Sequence, residues 1–445
     1  MAGLCEHAGQ CLEILCCWDS LRVLRKFLCL LSGTVGQRAT VCQKQGFGHD
    51  SENHKTMIEV KDKKNCCGCS ACASVCPRHC ITMGEDSEGF LYPQVDEEAC
   101  VNCGLCEKVC NELQPYDTRE PLQVLAAINK NEEVRQKSSS GGIFHLLAEK
   151  TIGEGGVVFG ARFDENWQVV IDYAEDMKGV EAFMGSKYVQ ARMENAYVDA
   201  KRFLNEGRKV LFSGTPCQVA GLHKFLRKPY DNLLSVDLIC HGVPSPKVWR
   251  MYLEEVVKQG QSISCVEFRN KEKGWKNFCF FLSYNGVGKT DSMLSPFTEN
   301  HYMKAFLNDI ILRPSCYDCK ARGCSSQSDI TIADFWGIKT LLPEMDDDKG
   351  TSLILVNTEA GKTTISGAKV TMASSTYECV KHFNSACCYS PKVHPKRKMF
   401  FRYLGEKELI SLIDECTKLP FGQRMRMLMW RCKAFVKCVL KTLFP

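Results

Sequence analysis

No apolar run in this chain approaches the roughly 18 residues that a membrane-spanning helix needs, which argues against a helical span anywhere in the 445 residues. Charge of one sign is scarce as well. The 57 basic and 52 acidic residues leave a net charge of +5, too slight at this length to mark a nucleic-acid binder. Arg25, Lys26 and the short run from Phe27 to Leu31 begin like a secretory signal, but no small-residue cleavage pattern follows them. These absences point to a globular protein, expected in the cytoplasm and without a nucleic-acid partner.

Cysteine is what the chain has in excess, at 29 residues. Such a count marks either a secreted disulfide framework or an intracellular metal or redox protein, and spacing decides between them. In residues 1–56 the cysteines at 5, 11, 16, 17, 29 and 42 fall at no ligand-like spacing, and the segment ends in a polar stretch. It is expected to be a poorly ordered leader that need not belong to the working protein, because Met57 opens a compact run straight into the first motif.

That motif is Cys66, Cys69, Cys72 and Cys76 followed by Pro77, the C-x2-C-x2-C-x3-C-P run with which bacterial ferredoxins hold a 4Fe-4S cluster. Three thiolates two residues apart wrap a tight loop around a cluster face, Gly68 permits the turns, and Pro77 ends the loop without a donor. Cys100, Cys103, Cys106 and Cys110 repeat the spacing, with Gly104 answering Gly68 and Asn111 standing where proline is expected. In such a pair the fourth cysteine crosses over. One cluster then takes Cys66, Cys69, Cys72 and Cys110, the other Cys100, Cys103, Cys106 and Cys76, with Cys67 and Cys80 as bystanders. Zinc is the alternative, but it closes with four ligands and would leave half of each run unused. A ferredoxin-like module with two 4Fe-4S clusters is therefore expected over 57–120.

From about residue 121 short β-branched runs alternate with helical stretches, which predicts a mixed α/β domain over 121–395. Strands are expected at Val124–Ile128, Val157–Phe163, Val169–Tyr173, Val210–Phe212, Leu233–Ile239 and Ile330–Ala333. Helices are expected at Gly142–Ile152, Glu194–Glu206, Cys217–Leu226 and Pro246–Lys258, with a long connection around 270–310. Ser138, Ser139, Ser140, Gly141 and Gly142 gather small side chains and amides at a helix start, where a flavin or nucleotide phosphate would bind; a plain serine N-cap is the alternative. Cys217 and Cys240 follow strands, where open α/β sheets assemble their sites. With the pair Cys316 and Cys319 they form a candidate third 4Fe-4S site, for which Cys324 is a possible substitute ligand. The alternative is two buried structural thiols beside a separate zinc or redox pair.

The ordered set of Ser-Ser-Ser-Gly-Gly at 138, Phe-Gly-Ala-Arg at 159, Gly-Ser-Lys-Tyr-Val at 185, Gly-Thr-Pro-Cys at 214, Cys-His-Gly-Val-Pro at 240 and Ser-Asp-Ile-Thr-Ile-Ala-Asp-Phe-Trp-Gly at 328 resembles the coenzyme F420 hydrogenase/dehydrogenase beta subunit family. The match runs over roughly residues 58–400. The resemblance implies an iron-sulfur flavoprotein oxidoreductase that passes electrons between clusters and FAD, or FMN, and on to an F420-like or other small organic acceptor. It implies a flavin near Ser139, Ser140, Gly141 and Gly142, with Lys187 and Thr215 around the ring and phosphates. Lys187 and His241 are candidate proton donors. The fused module is similar to that of members from anaerobic bacteria, and an external ferredoxin or redox subunit is the implied donor. A second reading is a non-catalytic electron-transfer subunit of a larger complex; a zinc-stabilised binding protein is a third.

Residues 396–445 turn basic, and from Phe421 to Pro445 six Lys or Arg occur without an acid, interleaved with apolar residues. This predicts a basic amphipathic helical tail that docks onto the protein, with contact to an acidic membrane surface as the alternative.

Overall fold

The computed structural model describes residues 56–418 apart from 287, 288 and 368, so the expected leader up to residue 55 and the basic stretch Phe421 to Pro445 lie outside the described residues. The N-terminal module is built from two near-copies of one unit. In each, a tight loop enters a short helix, Ala71–Val75 in the first and Leu105–Lys108 in the second. An antiparallel hairpin of β1 (Ile81–Glu85) and β2 (Leu91–Val95) lies between them, in register from Ile81 opposite Val95 to Glu85 opposite Leu91.

Each loop needs left-handed backbone twice. Gly68 and Asn102 take φ of 71° and 52°, while Ser70 and Gly104 take 63° and 67°. This corrects the pairing of Gly104 with Gly68. Gly68 corresponds to Asn102 and Ser70 to Gly104, so each copy spends one glycine and fills the other position with a short polar residue, of which asparagine tolerates this region best.

The larger region is organised on an eight-stranded sheet in the order β13-β3-β12-β11-β7-β6-β4-β5. Its strands are β3 (Gln123–Asn129), β4 (Val157–Phe163), β5 (Val169–Ala174), β6 (Val210–Ser213), β7 (Leu233–Leu238), β11 (Ile330–Asp334), β12 (Ser352–Val356) and β13 (Val370–Ser374). β4, β6, β7 and β11 are parallel neighbours, and every other pairing is antiparallel. The expected helices form within two residues of their predicted bounds, at Ile143–Gly153, Ala196–Asn205, Pro216–Leu226 and Pro246–Val256. β12 and β13 are additions to the predicted set. Every residue of β12 is buried, and a five-residue apolar run carries too little periodicity to declare itself a strand.

The long connection expected around 270–310 is instead structure. A three-stranded antiparallel sheet of β8 (Ser262–Asn270), β9 (Cys279–Gly286) and β10 (Lys289–Pro296) is followed by the helix His301–Leu307. Trp249, Phe268, Phe280 and Tyr302 form an aromatic core between this sheet and the helices. The helices Arg397–Tyr403 and Leu409–Thr417 close over it, burying Phe400, Leu409, Leu412 and Ile413. Glu255 accepts the Leu409 and Ile410 N–H groups at 2.8 and 2.9 Å, placing a carboxylate on free amides at a helix N-terminus.

Module and sheet are joined by buried polar contacts. Arg313, fully buried, donates from Nε to the Cys66 carbonyl at 2.8 Å and from its other nitrogens to Leu91 O at 2.9 Å and Gln190 Oε1 at 3.1 Å. Gln190 in turn donates to the Cys67 carbonyl at 3.1 Å. The helix Pro216–Leu226 presses on the first thiol loop at Gly221. A Cβ there would stand 2.6 Å from the Tyr197 hydroxyl and 3.2 Å from Cys69 Sγ, so only glycine permits the approach.

Candidate functional site

Within the module the thiols separate into two groups. Cys76, Cys100, Cys103 and Cys106 line one open cavity of about 340 Å³, with Cys80 and Pro77 on its wall. Cys80 lies 3.3 Å from Cys76, sulfur to sulfur, and the Ile58 N–H donates to Cys106 Sγ at 3.3 Å. Cys72 belongs to the other group. Burial pushes its thiol up to about 12, and the nearest charges reinforcing the shift are Cys66 and Cys110. Cys110 is likewise raised by burial, with Cys66 among its neighbours. The last cysteine of each run thus faces the sulfurs of the opposite run. Thiols held this high bind a metal only by losing their protons, which a cluster's iron achieves.

A third group lies between the module and the sheet. Cys217, at the start of the helix after β6, Cys240, just past β7, and Cys316 with Cys319 line a single cavity of about 630 Å³. Burial raises the Cys240 thiol well above its ordinary value, and Cys316, Cys217 and Cys319 add to the shift. Cys316 is pushed up to about 12 and Cys319 to about 11, burial leading in each case. The Val243 N–H already donates to Cys316 Sγ at 3.4 Å, and Gly242 allows the close approach, since a Cβ there would stand 3.3 Å from that of Cys316. Two polar atoms on this wall, Asp237 Oδ1 and Arg322 Nε, are buried with no protein partner. Four soft thiols around a walled space with unsatisfied polar groups suit a thiolate-held cluster.

Cys67, a bystander by spacing, links the groups. Its thiol and those of Cys69 and Cys217 influence one another's protonation, and it lines the third cavity beside Glu112. Burial pushes the Glu112 carboxyl up to about 6, with the neighbouring Cys67 opposing the shift.

The residues expected around a flavin are only partly brought together. Ser139 accepts from the Ser186 N–H at 2.8 Å and exchanges a hydroxyl bond with it at 2.9 Å. Ser140 donates to Thr351 O at 3.0 Å, and the Gly141 N–H is spent on Ser352 Oγ at 2.9 Å. Gly142, at φ 82°, heads the helix Ile143–Gly153 with no side-chain cap. Lys187 donates to the carbonyls of Ala182 and Met184 at 2.8 and 2.7 Å, and burial pulls it down to about 7. Thr215 belongs with the inner thiols instead, its hydroxyl 3.3 Å from Cys217 Sγ and 3.0 Å from Gln218 Oε1. His241 pairs with Asp309 at 2.6 Å and meets the Phe306 ring edge-on, while Phe306 stacks on Tyr188, the neighbour of Lys187.

Residues 65–112 match the 4Fe-4S dicluster domain, and residues 207–378 match the C terminus of the coenzyme F420 hydrogenase/dehydrogenase beta subunit. Each match covers one of the two regions marked out by motifs in the sequence. The N-terminal module is accordingly an iron-sulfur domain of the 4Fe-4S dicluster type. Among solved structures, a chain of the F420-reducing [NiFe] hydrogenase complex from Methanosarcina barkeri matches with 17% identity and a TM-score of 0.41, over 68% of this chain and 92% of that one. No curated protein matches it.

The beta-subunit domain spans Cys217, Cys240, Cys316 and Cys319, and the dicluster domain spans the eight cysteines of the two runs together with Cys67. Spacing gave no sign of Glu112, Arg313 or the unpartnered Asp237 Oδ1 and Arg322 Nε, and it left Cys67 a bystander. The one signal for Cys67 was its place directly after Cys66, which puts its side chain on the opposite side of the loop. Among the described residues no helix is long and apolar enough to cross a membrane.

Proposed function

We propose that the chain is a linear electron relay in which two module clusters feed or drain a third cluster held by Cys217, Cys240, Cys316 and Cys319. The observation that carries this reading is the convergence of those four thiols, from three separate segments, on one cavity that the module's Cys67 also lines. The crossed sets, Cys66, Cys69, Cys72 with Cys110 and Cys100, Cys103, Cys106 with Cys76, hold the outer two. Clusters supply single-electron chemistry at potentials set by burial and by hydrogen bonds to their sulfurs. Here the protein provides such bonds to Cys106 and Cys316 and a buried Arg322 cation beside Cys240 and Cys319.

A flavin at the far end is the finer part of the proposal, with FAD or FMN delivering electron pairs to an F420-like or other organic acceptor. It is supported by the uncapped helix start at Gly142, the paired hydroxyls of Ser139 and Ser186, and a half-buried Lys187 whose ammonium is drawn down to about 7 by desolvation. A helix start of this kind suits a phosphate. Electrons would enter from an external ferredoxin or a partner redox subunit in the cytoplasm. If no flavin is held, the same relay serves as an electron-transfer subunit of a larger complex.

Anaerobic purification with iron, sulfide and flavin counted per chain tests both parts. Three clusters give about twelve irons and the module alone about eight. Eight irons would overturn the inner cluster, and a flavin content of zero would overturn the hydride end.

A further inference from the structure

The cavity that gathers the four inner thiols carries further sulfur that the relay does not use. Cys324 and Cys387 both line it. Each is 6% exposed, and each is the first influence on the other's thiol, with Cys388 next for Cys387. Their backbones are tied too, since the Gly323 N–H donates to the Cys387 carbonyl at 2.8 Å. The Tyr377 hydroxyl stands against both sulfurs, 3.7 Å from Cys387 and 4.0 Å from Cys324, and 3.5 Å from Cys388. Cys388 is not among the residues on the cavity wall.

Local geometry singles out this pair. Cys324 sits at φ 55°, a left-handed conformation that a non-glycine residue keeps only when its surroundings enforce it. Enforcement comes from Arg119, whose Nε donates to the Cys324 carbonyl at 3.0 Å and whose backbone N–H donates to Gly323 O at 3.0 Å. A cysteine used only as a small apolar filler needs no such clamp. The clamp fixes Cys324 against Cys387 on a wall shared with the inner thiols.

We infer that Cys324 and Cys387 are a dithiol-disulfide redox couple that takes up and releases electrons in pairs beside centres that handle them singly. On oxidation two S–H bonds break, one S–S bond forms, and two electrons and two protons leave; reduction reverses each change. The electrons are those of the chain's own iron-sulfur transfer, and in assigning the inner cluster as the neighbour the inference rests on the reading above. Tyr377 holds a hydroxyl within reach of both sulfurs and positions the proton that either must gain or lose. The couple is the class of centre that joins one-electron donors to two-electron acceptors.

The test uses the full chain, purified anaerobically and equilibrated in graded mixtures of reduced and oxidised dithiothreitol. Free thiols are then trapped by alkylation and peptides mapped by mass spectrometry. A Cys324–Cys387 linked peptide is expected in oxidising mixtures, disappearing over a two-electron transition as the mixture becomes reducing. Cys388→Ser should leave this transition in place, and Cys324→Ser should abolish it. Equal alkylation of Cys324 and Cys387 in every mixture, or linkage of Cys387 to Cys388, overturns the inference. Iron is counted on the same sample so that the two readings fail separately. About eight irons strikes down the inner cluster, whereas about twelve irons with thiols that never pair strikes down only the couple.

Discussion

The dicluster module and the inner thiol cavity are both made of cysteine, yet they are held in place by different forces. In the module the ligands are neighbours in sequence, the loops are set by four left-handed residues, and its own apolar cluster holds, beyond the cysteines, only Ile58 and Ile81 fully buried, while Ala71 and Val109 pack into the core of the sheet region. A unit with so small a core depends on its metal for folding. The inner cavity is the reverse. Its cysteines lie as far apart as 217 and 319, and the sheet brings them together with buried strands such as β6 and β12 that need no metal to pack. The module is shaped by what it binds, and the cavity by what surrounds it.

The largest expected effect tests this contrast directly. Chelation of iron under reducing conditions should abolish the protection of backbone amides in β1 and β2 against hydrogen exchange, while β4, β6 and β7 keep theirs. Equal loss in both regions would erase the distinction. Next in size is Arg313→Met, which removes the hydrogen bonds of a buried cation to Cys66 O, Leu91 O and Gln190. Hydrogen bonds from charged groups are each worth about 1.5–3 kcal/mol, so the variant should unfold at lower urea and release the module to limited proteolysis. Gly221→Ala forces a methyl toward Tyr197 and Cys69, and overpacking of this kind costs about 1–3 kcal/mol, read as a lowered thermal midpoint.

The smallest effect concerns Lys187, which burial holds down to about 7 against an ordinary value of 10.5. Between those values the unfolded chain binds a proton that the folded chain does not. Stability should therefore rise with pH across that window, with a slope of at most about 1.4 kcal/mol per unit. The Lys187→Met variant should lack that slope in urea midpoints measured from pH 7 to 10.

The contrast also explains what could be read from sequence. Cys66 to Cys76 and Cys100 to Cys110 declare their chemistry because ligand spacing is local, and spacing is what a sequence records. The parallel strands β4, β6, β7 and β11 were legible as β-branched runs before helices with clear starts, such as Ser245-Pro246. β8 and β10 were not, because Ser262 to Asn270 and Lys289 to Pro296 mix polar and apolar residues without strict alternation, and their pairing with β9 decides the matter. Cys217, Cys240, Cys316 and Cys319 could be nominated from their positions after strands, but their convergence belongs to the tertiary fold. The roles of Cys67 and Arg313 depend on contacts across 150 and 247 residues (from Cys67 to Cys217 and from Cys66 to Arg313), beyond the reach of local pattern.

Arg313 stands three residues ahead of Cys316, and its guanidinium is closed around the carbonyl of Cys66. Without the module this cation keeps only Gln190 of the three acceptors Cys66 O, Leu91 O and Gln190 Oε1, and burying it so poorly paired is unfavourable. The segment that delivers Cys316 and Cys319 is thereby tied to the N-terminal loop. One side chain thereby makes the module and the inner thiol cavity depend on each other, so that loosening either segment unseats a cation shared by both.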